Sequence, residues 1–196
     1  MFPALNVLLN LHSYMSAENY TIEDQHAVYF LTLTVTDWID VYSRPEYKTI
    51  ILDGLTFCRQ NKGLKLYAWC LMSNHMHLVC QTVQPFRMSD FLRDFKQYTA
   101  KRTLATIQEI PESRKEWMLY RFEYAGKYDN RITQYRFWQD TNHPICLYDD
   151  TMLNQRIEYT HQNPVKRMIV EREEDYLFSS ARNYAGLPPL IEIDMI

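Results

Sequence analysis

Residues 27–36, AVYFLTLTVT, are rich in β-branched and aromatic side chains, and this pattern predicts a strand. Arg44-Pro45 then opens a helical stretch, EYKTIILDGLTFCRQ. Its Ile50, Ile51, Leu55 and Phe57-Cys58 fall on roughly one face, and Asn61-Lys62-Gly63 supplies a stop. Residues 64–70, LKLYAWC, and 75–83, HMHLVCQTV, read as two strands, with Met72-Ser73-Asn74 short enough for a hairpin turn. Ser89 is a candidate cap for a helix beginning DFLRDFKQYTAKRTLATIQ, with an apolar stripe of Phe91, Leu92, Phe95 and Tyr98. The stretch 109–136, aromatic-rich and broken by Pro111 and Gly126, carries no clear period. Tyr135-Arg136-Phe137-Trp138-Gln139 reads as a short strand, and a last helix begins near Asp149-Asp150-Thr151.

The order strand, helix, strand, strand, helix, strand, helix predicts an α+β sandwich with a mainly antiparallel sheet, specifically a split βαββαβ arrangement with terminal helical additions. The domain is expected over 27–184, preceded by an arm or amphipathic helix at 1–26 and followed by a tail at 185–196. The start, MFPALNVLLNLHSYMSAENY, lacks the basic region of a signal peptide, and no apolar run reaches membrane-spanning length. Four glycines and the absence of G-x-x-x-x-G-K-[ST] or G-x-G-x-x-G argue against a nucleotide-hydrolysing engine or a dinucleotide enzyme. Cys58, Cys70, Cys80 and Cys146 form no C-x-x-C and read as reduced core residues of a cytosolic protein.

A formal charge of -3 counts mildly against a nucleic-acid protein, but net charge hides distribution. Arg87, Arg93, Lys96, Lys101, Arg102, Arg114, Lys115 and Arg121 bias the middle of the chain towards the basic, while acids gather at 171–175. Such a run is often only a solvated helix face.

In a strand, His75 and His77 share a face with Cβ atoms roughly 6–7 Å apart, so their imidazoles can converge on one cation. Two histidines alone do not complete a metal site, and hydrogen-bonded strand histidines explain the pattern equally. Tyr159 and Asn163 stand one helical turn apart on one face. Asn163 precedes Pro164, however, and capping a new helix PVKRMIV competes with ligation for its side chain.

The stretch YAWCLMSNHMHLVCQ (67–81) resembles the histidine–hydrophobic–histidine hairpin of IS200/IS605-type single-tyrosine transposases. RIEYTHQNPVKRMIV (156–170) and DYLFSSARNY (175–184) resemble the later signature of their REP-associated tyrosine transposase relatives, and Phe137-Trp138-Gln139 also looks familial. The resemblance spans about 27–184 and implies a ferredoxin-like domain, Mg²⁺ or Mn²⁺, and a DNA-cleaving and strand-joining activity through a 5′-phosphotyrosine. Carried over, the metal ligands fall on His75, His77 and Asn163, with Gln162 as rival for the third, and the nucleophile falls on Tyr159. The implied partner is single-stranded or hairpin DNA, with a homodimer as one option, in a bacterial cytoplasm at the nucleoid. Lys96, Lys101 and Arg102 suit phosphate contacts. Tyr98 on the same helix is the rival nucleophile, although its place in the apolar stripe explains it as a core aromatic. A domesticated hairpin-binding protein and an unrelated H-x-H metalloenzyme are the alternative functions.

Overall fold

A computed structural model of the chain describes residues 21–127, 129–132 and 134–196. The expected N-terminal arm therefore lies largely outside the described residues. The elements are β1 (Tyr29–Thr34), α1 (Pro45–Asn61), β2 (Leu64–Leu71), β3 (His75–Thr82), α2 (Met88–Glu109), α3 (Lys115–Gly126), β4 (Ile145–Cys146), α4 (Asp150–Lys166) and α5 (Ala181–Tyr184). The sheet runs β2-β3-β1-β4, with every pairing antiparallel. The helix-linked strands β1 and β2 are thus split by β3, which is the arrangement the strand and helix order predicts.

Period-two alternation sorts the side chains of this sheet onto two faces. Leu31 and Leu33 of β1, Leu66, Trp69 and Leu71 of β2, and Met76 and Leu78 of β3 meet Ile51, Leu55, Phe91 and Phe95 of α1 and α2 in the main core. Phe30, Ala68 and Val79 point the other way and pack against Leu147 and against Leu153 and Ile157 of α4. A register shift between Leu66 and Ala68 lets β2 supply both faces despite its continuous apolar run. At Gly54 of α1, an added Cβ would stand 3.0 Å from the Phe95 ring, so this glycine permits the close approach of α2.

Three local expectations change. Residues 135–139 do not form a strand: among them only Trp138 pairs, through an isolated bridge to Val35. The fourth strand is instead the two-residue β4. Ser89 does not cap α2, which starts at Met88; the Ser89 N–H donates to Gln25 Oε1 at 2.9 Å, so the cap comes from a distant loop. The aperiodic stretch contains α3. All four cysteines are free, as expected, and three are buried.

The last residues close the outer edge of β2. Ser180 N–H donates to Trp69 O and Leu71 N–H to Phe178 O, and Ile191 reaches the main core. Asp194 finishes the seam: its carboxylate accepts from Leu66 N–H at 3.0 Å, Lys65 at 2.9 Å and Arg59 at 3.2 Å. Burial pushes this carboxyl up, but the Leu66 N–H, Lys65 and Arg59 together outweigh it and hold it below the usual carboxylate range. A carboxyl depressed in the folded state stabilises above its unfolded pKa of ~3.9 and loses that contribution as pH falls through the lower folded value. Asp194→Asn is therefore expected to cost about 1–2 kcal/mol at neutral pH, chiefly through the Leu66 and Arg59 bonds because Lys65 is half exposed. Denaturant titrations should show the difference shrinking at acid pH; a gap of equal size at every pH would remove the ionic explanation.

Candidate active site

β3 places His75 and His77 on the α4 side of the sheet, opposite Thr34 and Thr32 of β1. Their rings lie 4.9 Å apart. Each Nδ1 is occupied: His75 Nδ1 stands 2.6 Å from Asn74 Oδ1, and His77 Nδ1 3.0 Å from Thr32 Oγ1. With Asn74 Oδ1 accepting, His75 carries its proton on Nδ1 and keeps a lone pair on Nε2. Outer partners of this kind fix tautomer and ring orientation in metal-binding histidines. Trp38 meets the His75 ring edge-on, and the Phe30 ring stacks on His77 at 5.3 Å.

Burial first, then the nearby Arg167 charge, pulls His75 down to about 4. Burial, His75, Arg156 and Arg167 pull His77 to about 3. Both imidazoles are thus neutral bases at physiological pH, the form that ligates cations.

Asp149 caps α4, its side chain accepting from Met152 N–H at 2.8 Å, and Leu153 and Ile157 anchor the helix on the sheet. That docking brings the Tyr159 ring to 5.3 Å from His77 and 5.7 Å from Phe30, with Tyr159 still 38% exposed. Arg156 lies over Phe30, 5.1 Å from the ring centre, and Lys166 Nζ lies 5.3 Å from the centre of the Tyr159 ring.

Asn163 does not cap a new helix. α4 continues through Pro164 to Lys166, and residues after it form no further helix turn of the expected PVKRMIV kind. Met168 takes a positive φ of 56°, with Met168 N–H bonded to Val165 O and Ile169 N–H to Pro164 O. These two bonds reverse the chain and satisfy the last carbonyls of the helix. The Asn163 side chain is thereby free of capping, is buried, and its Oδ1 has no hydrogen-bond partner. His77 Nε2 is likewise buried and unpartnered. Leaving such groups unpaired is costly, and both atoms are Lewis bases that a cation would satisfy.

The neighbouring side chains are otherwise engaged. Gln162 Nε2 donates to Glu173, whereas His161 Nε2 stands 2.8 Å from Ser180 Oγ, which accepts from Trp69 N–H. His161 and much of the 175–184 signature thus tie α4 and the tail to β2: Tyr176 donates to Leu71 O and Tyr184 to Tyr67 O. Among the described residues no three of His, Cys, Asp and Glu cluster as a metal site.

The α2 candidates lie elsewhere. Tyr98 is not a core aromatic; it is half exposed in a groove of about 620 Å³ between α1 and α2, on the opposite side of the sheet from the histidines. Lys96 Nζ is drawn inward to Gln139 O at 2.7 Å and Asn142 Oδ1 at 2.9 Å, and burial brings its pKa down to about 8. Lys101 and Arg102 are exposed on α2. Much of the mid-chain basic bias is matched internally, Arg93 by Asp90 and Asp94, Arg114 by Asp40, and Arg121 by Asp37. Arg156, Lys166 and Arg167 do not stand out in the sequence, because isolated cations on a mixed helix carry no signal until the face they share is known.

Residues 40–140 match the family model described as transposase IS200 like. That segment takes in α1, the histidine hairpin, α2 and α3, and ends before β4 and α4. No curated protein matches the chain. Among solved structures, a REP-associated tyrosine transposase bound to a REP hairpin is similar with a TM-score of 0.58 and 17% identity, over 92% of this chain and 94% of that one. A chain assigned as a transposase, from Deinococcus radiodurans R1, has a TM-score of 0.40 and 17% identity, over 74% of this chain and 97% of that one. At such identity the first of these likenesses is one of fold, and the second adds nothing to the argument.

Proposed function

The chain belongs to the IS200-like transposase family, and from that premise we propose that it cuts and rejoins single-stranded DNA with Tyr159 as nucleophile and a divalent cation, Mg²⁺ or Mn²⁺, held by His75, His77 and Asn163. The observation that carries the reading is one juxtaposition. The Tyr159 ring stands 5.3 Å from His77, whose Nε2 is buried without a partner, and one turn from Asn163, whose Oδ1 is buried in the same condition.

The cation, when bound, would neutralise and polarise the scissile phosphate. Everything else is work for the chain itself. Thr32 and Asn74 hold the two imidazoles in place, and Phe30 supports both His77 and Tyr159. The exposed phenol loses its proton to solvent and its Oη attacks phosphorus. An O–P bond to Tyr159 forms, the P–O3′ bond breaks, and the leaving oxygen takes up a proton as a 3′-hydroxyl. Rejoining reverses these steps on a new 3′-hydroxyl and needs no nucleotide hydrolysis. One chain supplies both the histidines and the tyrosine, so this reading does not require a second copy. The REP hairpin bound by the structural relative makes a DNA hairpin the first substrate to test. Lys101 and Arg102 are exposed on α2, across the sheet from the histidines; in this reading they contact phosphates of a duplex segment away from the cleavage site, in a protein acting at the bacterial nucleoid.

The test is a denaturing gel of the protein with end-labelled single-stranded hairpin DNA and Mn²⁺ or Mg²⁺. An adduct that survives denaturant, disappears with chelator and persists in Tyr98→Phe is the expected result. Binding without any adduct would make the chain a domesticated hairpin-binding protein, and no DNA binding at all would sink the proposal.

A further inference from the structure

One face of α4 carries Arg156, Tyr159, Asn163 and Lys166, at spacings of three, four and three residues. Arg156 and Lys166 therefore bracket Tyr159 along the helix, roughly 4–5 Å before it and ~10 Å after it by axial rise. Helical side chains lean towards the N-terminus, and Lys166 does so: its ammonium lies 5.3 Å from the centre of the Tyr159 ring. Arg156 lies on the other side, over the Phe30 ring that supports both Tyr159 and His77.

Among the described residues, neither cation forms an ion pair, whereas Arg93, Arg114, Arg121, Arg131, Arg136 and Arg172 each have acids of their own. In a chain with a net charge of -3, two cations without acids that flank one half-exposed tyrosine form a local anion site. The guanidinium fork suits two oxygens of one phosphate, and the flexible ammonium follows a second.

We propose that Arg156 and Lys166 are positioning residues that grip the phosphodiester backbone on either side of Tyr159, so that the DNA strand runs along α4 across the histidine face. The inference rests on the reading of Tyr159 given above. A purely structural account also exists: Lys166 complements the negative end of α4, and Arg156 packs on an aromatic ring. The two differ in their dependence on salt. Each phosphate contact on a single strand contributes about 0.7 to the slope of log affinity against log salt.

The experiment measures binding of a fluorescent oligothymidylate by the full chain in chelator, across a salt series, for the unsubstituted protein, Arg156→Gln/Lys166→Gln and Arg156→Lys/Lys166→Arg. The glutamine pair is expected to flatten the slope by about 1.4, and the charge-preserving pair to keep it, with all three melting alike. An unchanged slope in the glutamine pair overturns the inference; if the unsubstituted chain still forms its adduct, the nucleophile reading stands without it. Failure of the unsubstituted chain to bind the probe or form an adduct overturns both.

Discussion

Tyr159→Phe is expected to yield a folded protein that forms no covalent adduct with DNA, a loss of at least ~10³-fold. The hydroxyl is the only atom removed, and among the described residues it makes no hydrogen bond that its loss would break. The ring is 38% exposed and keeps its edge contacts to His77 and Phe30, so stability should change by less than about 0.5 kcal/mol. Binding of the uncleaved strand should survive, because the flanking cations and the histidine face remain. The measurement is the yield of denaturant-resistant adduct beside the melting temperature and the strand affinity. A Tyr159→Phe protein that still becomes covalently attached would move the nucleophile to another of the fifteen tyrosines.

The second large effect belongs to His77. A cation that binds only the folded chain stabilises it by about 2.7 kcal/mol at a hundredfold excess over its Kd. For a chain of this size, that is a rise in Tm of roughly 5–10 °C. The unsubstituted protein should show such a rise with Mn²⁺, and His77→Ala should show none. The variant should itself melt lower by an amount worth about 1–2 kcal/mol: it loses the Phe30 stack and the Thr32 hydrogen bond, while relief of the unpartnered Nε2 offsets part of that loss. Asn163→Ala should keep a reduced Mn²⁺ response, since both imidazoles remain. Equal Mn²⁺ shifts in His77→Ala and its parent would place the cation elsewhere or nowhere. Because the readout is thermal, it does not depend on DNA cleavage.

The histidine hairpin and the two helices α1 and α2 are legible in the sequence because their signals are local. Alternation puts His75 and His77 on one face and Met76 and Leu78 on the other, and the structure keeps that division. Segment 135–139 misleads because its β-rich composition is a local signal, whereas a strand needs a partner along its length, and here only Trp138 finds one, at Val35. Ser89 looks like the cap of α2 because Gln25, which supplies the cap, is 64 residues away in sequence. Lys96 looks like a surface cation among other cations, yet it is turned inward by Gln139 and Asn142, partners no helical pattern displays.

By itself, then, the sequence determined the alternation of β3, the order β1, α1, β2, β3, α2, the spacing of Tyr159 from Asn163, and the lack of the Gly-rich phosphate-binding motifs. All of these depend on residues near one another along the chain. The tertiary structure decided which helix faces the histidines, and with it which tyrosine stands at His77 and which cations flank it. It also decided that α4 runs on through Pro164, so that Asn163 caps nothing and its Oδ1 is left buried and unpaired one turn from Tyr159. Those outcomes follow from the packing of α4 through Leu153 and Ile157 onto Phe30, Ala68 and Val79, apolar contacts between segments that lie far apart in the chain.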